Sequence, residues 1–268
     1  MTPETFLKYL ALLLAGSLAM ESGVLAGMLV LPDGAYHGLH LALMVALLII
    51  TLALYRGRRR DHAADSAVVL MFAAGLAFTL VGDYVNSRLS QVEPVTLKLT
   101  WALLFFGLGY SCYIIGMWKG LALLPVCPRL SGLIPVILAV NVIGWFTSVA
   151  GRVAGNAALS YGSFVFNATL YVLLPWLSFR FLVARRFGLG AVAVVIGAVL
   201  LPYSDLVLFT TWLVQPPDAP ISTVLYASNW IVYFGGQCLI NVFTAALALA
   251  VRDRAPGPPA APRDVRRP

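Results

Sequence analysis

Long apolar stretches, interrupted by short polar or charged punctuation, organise this chain from end to end. Eight such segments can be marked, at residues 6–31, 36–55, 66–87, 97–118, 130–149, 159–183, 188–214 and 223–251. At ~1.5 Å rise per residue, about 20 residues of helix cross the ~30 Å hydrocarbon core of a bilayer. The breaks fall at 32–34, 56–65, 91–94, 125–129, 151–156, 185–186 and 215–220, where Pro, Gly and charged side chains gather. A transmembrane β-barrel would show alternating segments of about ten residues. The 41–54 stretch does not alternate, so the pattern predicts an all-α polytopic transmembrane helical bundle of eight spans. The first apolar run is too long for a signal-peptide core and lacks a basic start and a small-residue cleavage site, so it is expected to be a retained helix.

Composition agrees with this picture and narrows it. Apolar residues make up 60% of the chain and charged residues 11%, with a mean hydropathy of +0.89. A soluble domain carries about 25% charge, so a soluble globule is excluded. With the N-terminus placed in the cytoplasm, fifteen of the eighteen Lys and Arg fall on the inner side and only Arg88, Lys98 and Arg152 on the outer. That asymmetry predicts both termini inside, as the positive-inside rule requires. It also accounts for the net charge of +7 through contact with anionic inner-leaflet lipid, and leaves no basic face on which nucleic acid would bind. The chain is expected to be a multi-pass protein of the plasma (inner) membrane. Residues 1–252 are read as a single transmembrane domain and 253–268 as a disordered Pro/Arg-rich cytoplasmic tail. Cys112, Cys127 and Cys238 fit neither a disulfide framework nor a zinc site.

Eight of the eleven acidic residues lie in predicted loops, tails or termini. Glu21, Asp83 and Asp205 do not. A charged side chain at mid-helix in lipid costs at least ~2.5–3.5 kcal/mol, and these three stand at about the same height, roughly 22–26 Å from the inner ends of their spans at 1.5 Å per residue. They are expected to share a cavity open towards the outer leaflet. The two Asp also sit in a repeated frame. Gly75 and Gly197 each precede an Asp by eight residues, with small Gly82 and Ser204 just before the acid. The offset of 122 residues on helices running the same way points to a four-plus-four internal repeat, a pattern in which sites form between halves. Polar residues on other spans lie at matching depth. Asn229, Tyr233, Gln237 and Asn241 recur every fourth residue and so form one stripe of a helix. Tyr110 and Tyr113 lie on the fourth span, and Tyr161, Asn167 and Tyr171 on the sixth.

At these residues the chain resembles the YhhN family of integral-membrane lysoplasmalogenases. The resemblance runs through Gly82-Asp83-Tyr84, the Gly- and aromatic-rich Phe105-Phe106-Gly107-Leu108-Gly109-Tyr110, the Gly197-Ala198 and Ser204-Asp205 pairs, and Tyr233 followed by Gln237, Leu239 and Ile240. It covers roughly residues 75–241. The chain departs from the family in having Tyr113 and apolar residues where members carry a fourth-helix His.

The resemblance implies hydrolysis of the vinyl ether bond of a lysoplasmalogen to a fatty aldehyde and a glycerophospho-base, with a lysophospholipid or other single-chain lipid as substrate and no cofactor. Two carboxyls in one low-dielectric cavity cannot both ionise cheaply, which supplies an acid and a base together. Asp83 and Asp205 are the catalytic candidates, with neither role assigned. Glu21, Asn86, Tyr110, Tyr113, Tyr203, Ser204, Asn229, Tyr233 and Gln237 are the candidates for substrate contact. Three other classes stay open. Intramembrane acids on repeated helices also mark transporters and proton- or ion-coupled carriers, although Pro175 and Pro202 are the nearest approach to a mid-membrane break. Asp33, His37 and His40 form a short, weak metal-ligand set. A non-catalytic lipid-binding homologue is the third.

Overall fold

Eight long helices carry the chain in the computed structural model, which describes residues 1–59, 63–87, 89–90, 92–124, 128–214 and 222–252. They are α1 (Pro3–Leu25), α2 (Asp33–Arg58), α3 (Ala63–Asn86), α4 (Val95–Ala122), α5 (Leu133–Trp145 with its continuation), α6 (Ala157–Ala184), α7 (Leu189–Val214) and α8 (Thr223–Arg252). Each is long and apolar enough to cross a membrane, and no strand occurs among the described residues. The chain is thus an all-helical, multi-pass membrane protein. The tail at 253–268 lies outside the described residues.

Two boundaries differ from the sequence expectation. Past Trp145, α5 runs on through a π-turn at Phe146–Ala150 and one further turn at Gly151–Val153. Gly151 was expected to begin a loop, but an interior glycine costs a helix only about 1 kcal/mol. At the other correction, α2 extends into the basic run as far as Arg58, and α3 begins at Ala63. Asp65 is therefore a residue of the first turn of α3 and not a loop acid. There it meets the helix dipole favourably and accepts a hydrogen bond from Arg58 Nε at 3.0 Å, with both side chains buried. Pro175 and Pro202 sit inside helices that stay unbroken.

Packing is closest where glycines let backbones touch. A Cβ on Gly75 of α3 would lie 2.9 Å from the carbonyl oxygen of Gly109 on α4. One on Gly197 of α7 would lie 2.5 Å from the backbone nitrogen of Ile240 and 2.9 Å from the carbonyl oxygen of Gly236, both on α8. The repeated glycine frame therefore marks the same event twice: the third helix of each half pressed against the fourth. The first helix of the chain, α1, packs on the last, α8, while α6 packs against α4, and α5 lies outside on α6. Because the atoms facing Gly197 are backbone, they cannot yield to an added methyl. Gly197→Ala is expected to lower stability by about 1–3 kcal/mol, the usual cost of overpacking. Gly16→Ala, which meets nothing within 4 Å, serves as the control in a thermal melt of the detergent-solubilised protein.

Candidate active site

Each glycine contact fixes the height of the acid a little over two turns further on. On α7, Asp205 Oδ2 accepts hydrogen bonds from two hydroxyls, Tyr110 OH on α4 at 2.6 Å and Tyr171 OH on α6 at 2.9 Å. On α3, Asp83 Oδ2 accepts one from Tyr233 OH on α8 at 2.9 Å. The halves thus exchange partners: the fourth helix of each supplies a tyrosine to the aspartate of the other. Tyr110 and Tyr233 occupy related places, one residue after Gly109 and three before Gly236, which is the same helix face one turn apart. Beneath this pair, Tyr113 OH donates to Gln237 Oε1 at 2.7 Å, with both side chains fully buried.

Two adjoining cavities receive the carboxylates, one each. Asp205 and Tyr171 line a cavity whose other walls are mostly hydrocarbon, including Leu99, Leu103, Phe166 and Phe209. It holds about 540 Å³ of empty space, counting the part open to the surroundings. Asp83 lines a second, polar cavity with Asn229, Tyr233 and residues of α2. Asn86, Phe106 and Leu208 line both and so form the partition between them. Buried polar atoms without partners cluster here: Asp205 Oδ1, Asn86 Oδ1, Asn229 Oδ1 and, beside Asp205, Ser204 Oγ. Groups of this kind in a native structure mark places where water or ligand belongs.

The remaining sequence candidates sort by position. Asn167 lines the hydrocarbon cavity. Asn241 donates back to the Gln237 carbonyl of its own helix at 2.8 Å. Tyr203, 58% exposed, faces outward from the bundle, and Ser204 is buried; neither is among the residues that line the two cavities.

Glu21 stands apart from the aspartates and lines neither cavity. It is fully buried and engaged by α2, where Tyr36 OH donates to Oε2 and His40 Nε2 lies 2.7 Å from Oε1. The Tyr226 hydroxyl is 2.7 Å from His37 Nδ1 and 3.4 Å from His40 Nδ1. The two histidines weighed as metal ligands are thus parts of a hydrogen-bonded aromatic cluster. The Asp33 side chain lies outside what is described, and among the described residues no three His, Cys, Asp or Glu gather as a metal site. Tyr36, Tyr226 and Trp230 escaped the sequence reading. The signal for Tyr36 was available: Glu21 lies four residues before the end of α1 and Tyr36 three after the start of α2, so an antiparallel hairpin brings them to one depth.

Comparison with known proteins identifies a family. The YhhN family model matches residues 37–244, more than three quarters of the chain. The match takes in both aspartates, all three tyrosines bonded to them, and His37 and His40 of α2. No curated protein and no solved structure matches.

Proposed function

The chain belongs to the YhhN family, and on that footing we propose that it is an integral-membrane hydrolase of the vinyl ether bond in single-chain, lysoplasmalogen-type lipids. One observation carries the reading: two carboxylates from the two halves line adjoining cavities, one hydrocarbon and one polar. A lysoplasmalogen has the same division, with its vinyl ether at the junction of alkenyl chain and glycerol.

The chemistry follows from the hydrogen-bond partners. Asp205 accepts two phenol hydrogen bonds and Asp83 one, so Asp205 is the better-stabilised carboxylate and Asp83 the proton donor. Asp83 gives its proton to the vinyl carbon remote from the ether oxygen, and the double-bond electrons form that C–H bond. The positive charge left on the carbon bonded to oxygen is stabilised by the Asp205 carboxylate. Water adds to this carbon and Asp205 takes a proton from it, giving a hemiacetal. In the second half Asp205 returns that proton to the glycerol oxygen as its C–O bond breaks, while Asp83 takes the hemiacetal hydroxyl proton. Aldehyde and glycerophospho-base leave, and both acids regain their starting states. One group serving as acid and then base within a cycle is ordinary general acid–base catalysis.

The test is release of fatty aldehyde from lysoplasmenylcholine or lysoplasmenylethanolamine by the purified, detergent-solubilised protein. No release from either substrate would sink the reading. Proton flux in liposomes without aldehyde release would assign the acids to a carrier instead, and loss of activity in EDTA would favour the metal alternative.

A further inference from the structure

The polar cavity contains more chemistry than the aspartates use. His37, His40, Tyr226, Asn229 and Trp230 form its wall on α2 and α8, and the hydrolytic scheme assigns none of them a step. Trp230 is the most telling. Only 7% of it is exposed, yet its indole N–H has no hydrogen-bond partner. A buried donor without an acceptor is costly. The ring is not free to turn towards one, because His40 stacks on it with centroids 3.9 Å apart and planes within 7°, and Phe234 stacks at 5.7 Å and 10°. His40 is itself held by Glu21 at 2.7 Å. The fully buried Glu21 therefore steadies the stack from behind, a different place from the shared acid site expected for it.

Other groups around this cavity have matching character. The amide oxygens of Asn86 and Asn229 lack partners. At the edge, Lys98 Nζ donates to the carbonyl of Ser87 at 2.8 Å, and Ser87 lines the cavity. Lys98 is buried to 93%, with 7% exposed, and is one of the few cations that the charge pattern places on the outer side. A fixed indole N–H, two amides and a buried ammonium behind the wall make a setting for an anionic oxygen and a neighbouring hydroxyl. The adjoining cavity is the more hydrocarbon-lined of the two.

We propose that the polar cavity is a glycerophosphodiester subsite. Trp230 Nε1 donates to a non-bridging phosphate oxygen, and the Asn229 amide oxygen accepts from the free glycerol hydroxyl. The assignment deepens the hydrolase reading and rests on it for the bond that is cleaved. The binding itself can be measured without catalysis.

Glycerophosphocholine, the head without its chain, is titrated into the purified full-length protein and followed by calorimetry. Saturable binding is expected, with Trp230→Phe, which keeps the stacking ring, weakening it at least about tenfold, as loss of one hydrogen bond to a charged group requires. Inorganic phosphate should bind more weakly, and choline should not compete. No saturable binding, equal binding of choline, equal binding of phosphate, or an unchanged affinity in a folded Trp230→Phe protein overturns the subsite. Should that variant fail to fold, as judged by its melt, two readouts remain. Asn229→Ala should weaken the same binding, and wild-type protein should show at least about a tenfold higher KM for a 1-alkenylglycerol lacking the phosphodiester than for lysoplasmenylcholine, with kcat little changed, the pattern of lost uniform binding. Equal KM values overturn the subsite and leave the hydrolase standing. Binding of glycerophosphocholine without any aldehyde release does the reverse.

Discussion

Asparagine in place of Asp83 or Asp205 is expected to lower kcat for aldehyde release by about 10²–10⁴-fold, the range that proton transfer by a positioned group contributes. Asn has the shape of Asp and keeps an oxygen that can accept from Tyr233 OH or from Tyr110 OH and Tyr171 OH, the donors now 2.6–2.9 Å from the carboxylates. What it loses is the capacity to give or take a proton. Hydrocarbon and polar walls are untouched, so KM should move little and kcat/KM should fall with kcat, as expected when a transition-state interaction alone is removed. The double variant should be about as slow as the slower single one, because groups that act as one unit are not additive. Purified variants that melt like the wild type are compared by initial rates. A rate within about tenfold of wild type in either single variant lies below the usual general acid–base contribution and would remove the aspartate pair from the mechanism.

The parts of this architecture that were legible in the sequence are those written locally. Apolar runs bounded by Pro, Gly and Arg mark the spans, since in lipid every backbone group must be satisfied within its own helix. The aspartates were legible because an acid in such a run is costly and because Gly75 and Gly197 precede them at one spacing. The fourfold spacing of Asn229, Tyr233 and Gln237 likewise identified the inward face of α8. Partner choice was not legible. That Tyr110 reaches Asp205 while Tyr233 reaches Asp83 depends on which helices neighbour each other, and no local pattern encodes it. Glu21 shows the limit most clearly. Depth alone placed it with the aspartates, but depth says nothing about azimuth, and its side chain meets α2. In the sequence nothing distinguishes Trp230 from the other aromatics of the spans, and only its unpartnered N–H sets it apart.

The partner exchange between halves also says why neither half is sufficient. Asp83 on α3 takes its donor from α8, and Asp205 on α7 takes one of its two from α4. The carboxylates are therefore held in place only when α4 and α8 are both seated, and the glycine contacts Gly75–Gly109 and Gly197–Gly236 are what seat them. A change that shifts either crossing moves one acid and the tyrosine that serves the other. Packing and chemistry are coupled through four glycines, two of them a little over two turns before the acids and two within one turn of the tyrosines.

Tyr110 and Tyr171 give the sharpest test of how Asp205 works. Replacing either by Phe is expected to lower kcat by about 10- to 100-fold, because hydrogen bonds to charged groups are worth ~1.5–3 kcal/mol and each ~1.4 kcal/mol is a factor of ten. The ring remains, so the contacts of Tyr110 with Phe166 and of Phe166 with Tyr171, at 5.8 and 4.9 Å between centroids, are preserved. The informative comparison is a double-mutant cycle with Asp205→Asn. If the phenols act by stabilising the Asp205 carboxylate, Tyr110→Phe in the Asp205→Asn background should cost little further activity, because the charge they serve is gone. Two residues acting independently would instead multiply their effects, and deviation from additivity is what reports contact between them. Tyr233→Phe supplies the control within the same assay. It serves Asp83, so it should couple strongly to Asp83→Asn and weakly to Asp205→Asn. Coupling of equal size to both acids would mean that the three tyrosines act as one shared network, and the separate donor and acceptor roles assigned to Asp83 and Asp205 would then fail.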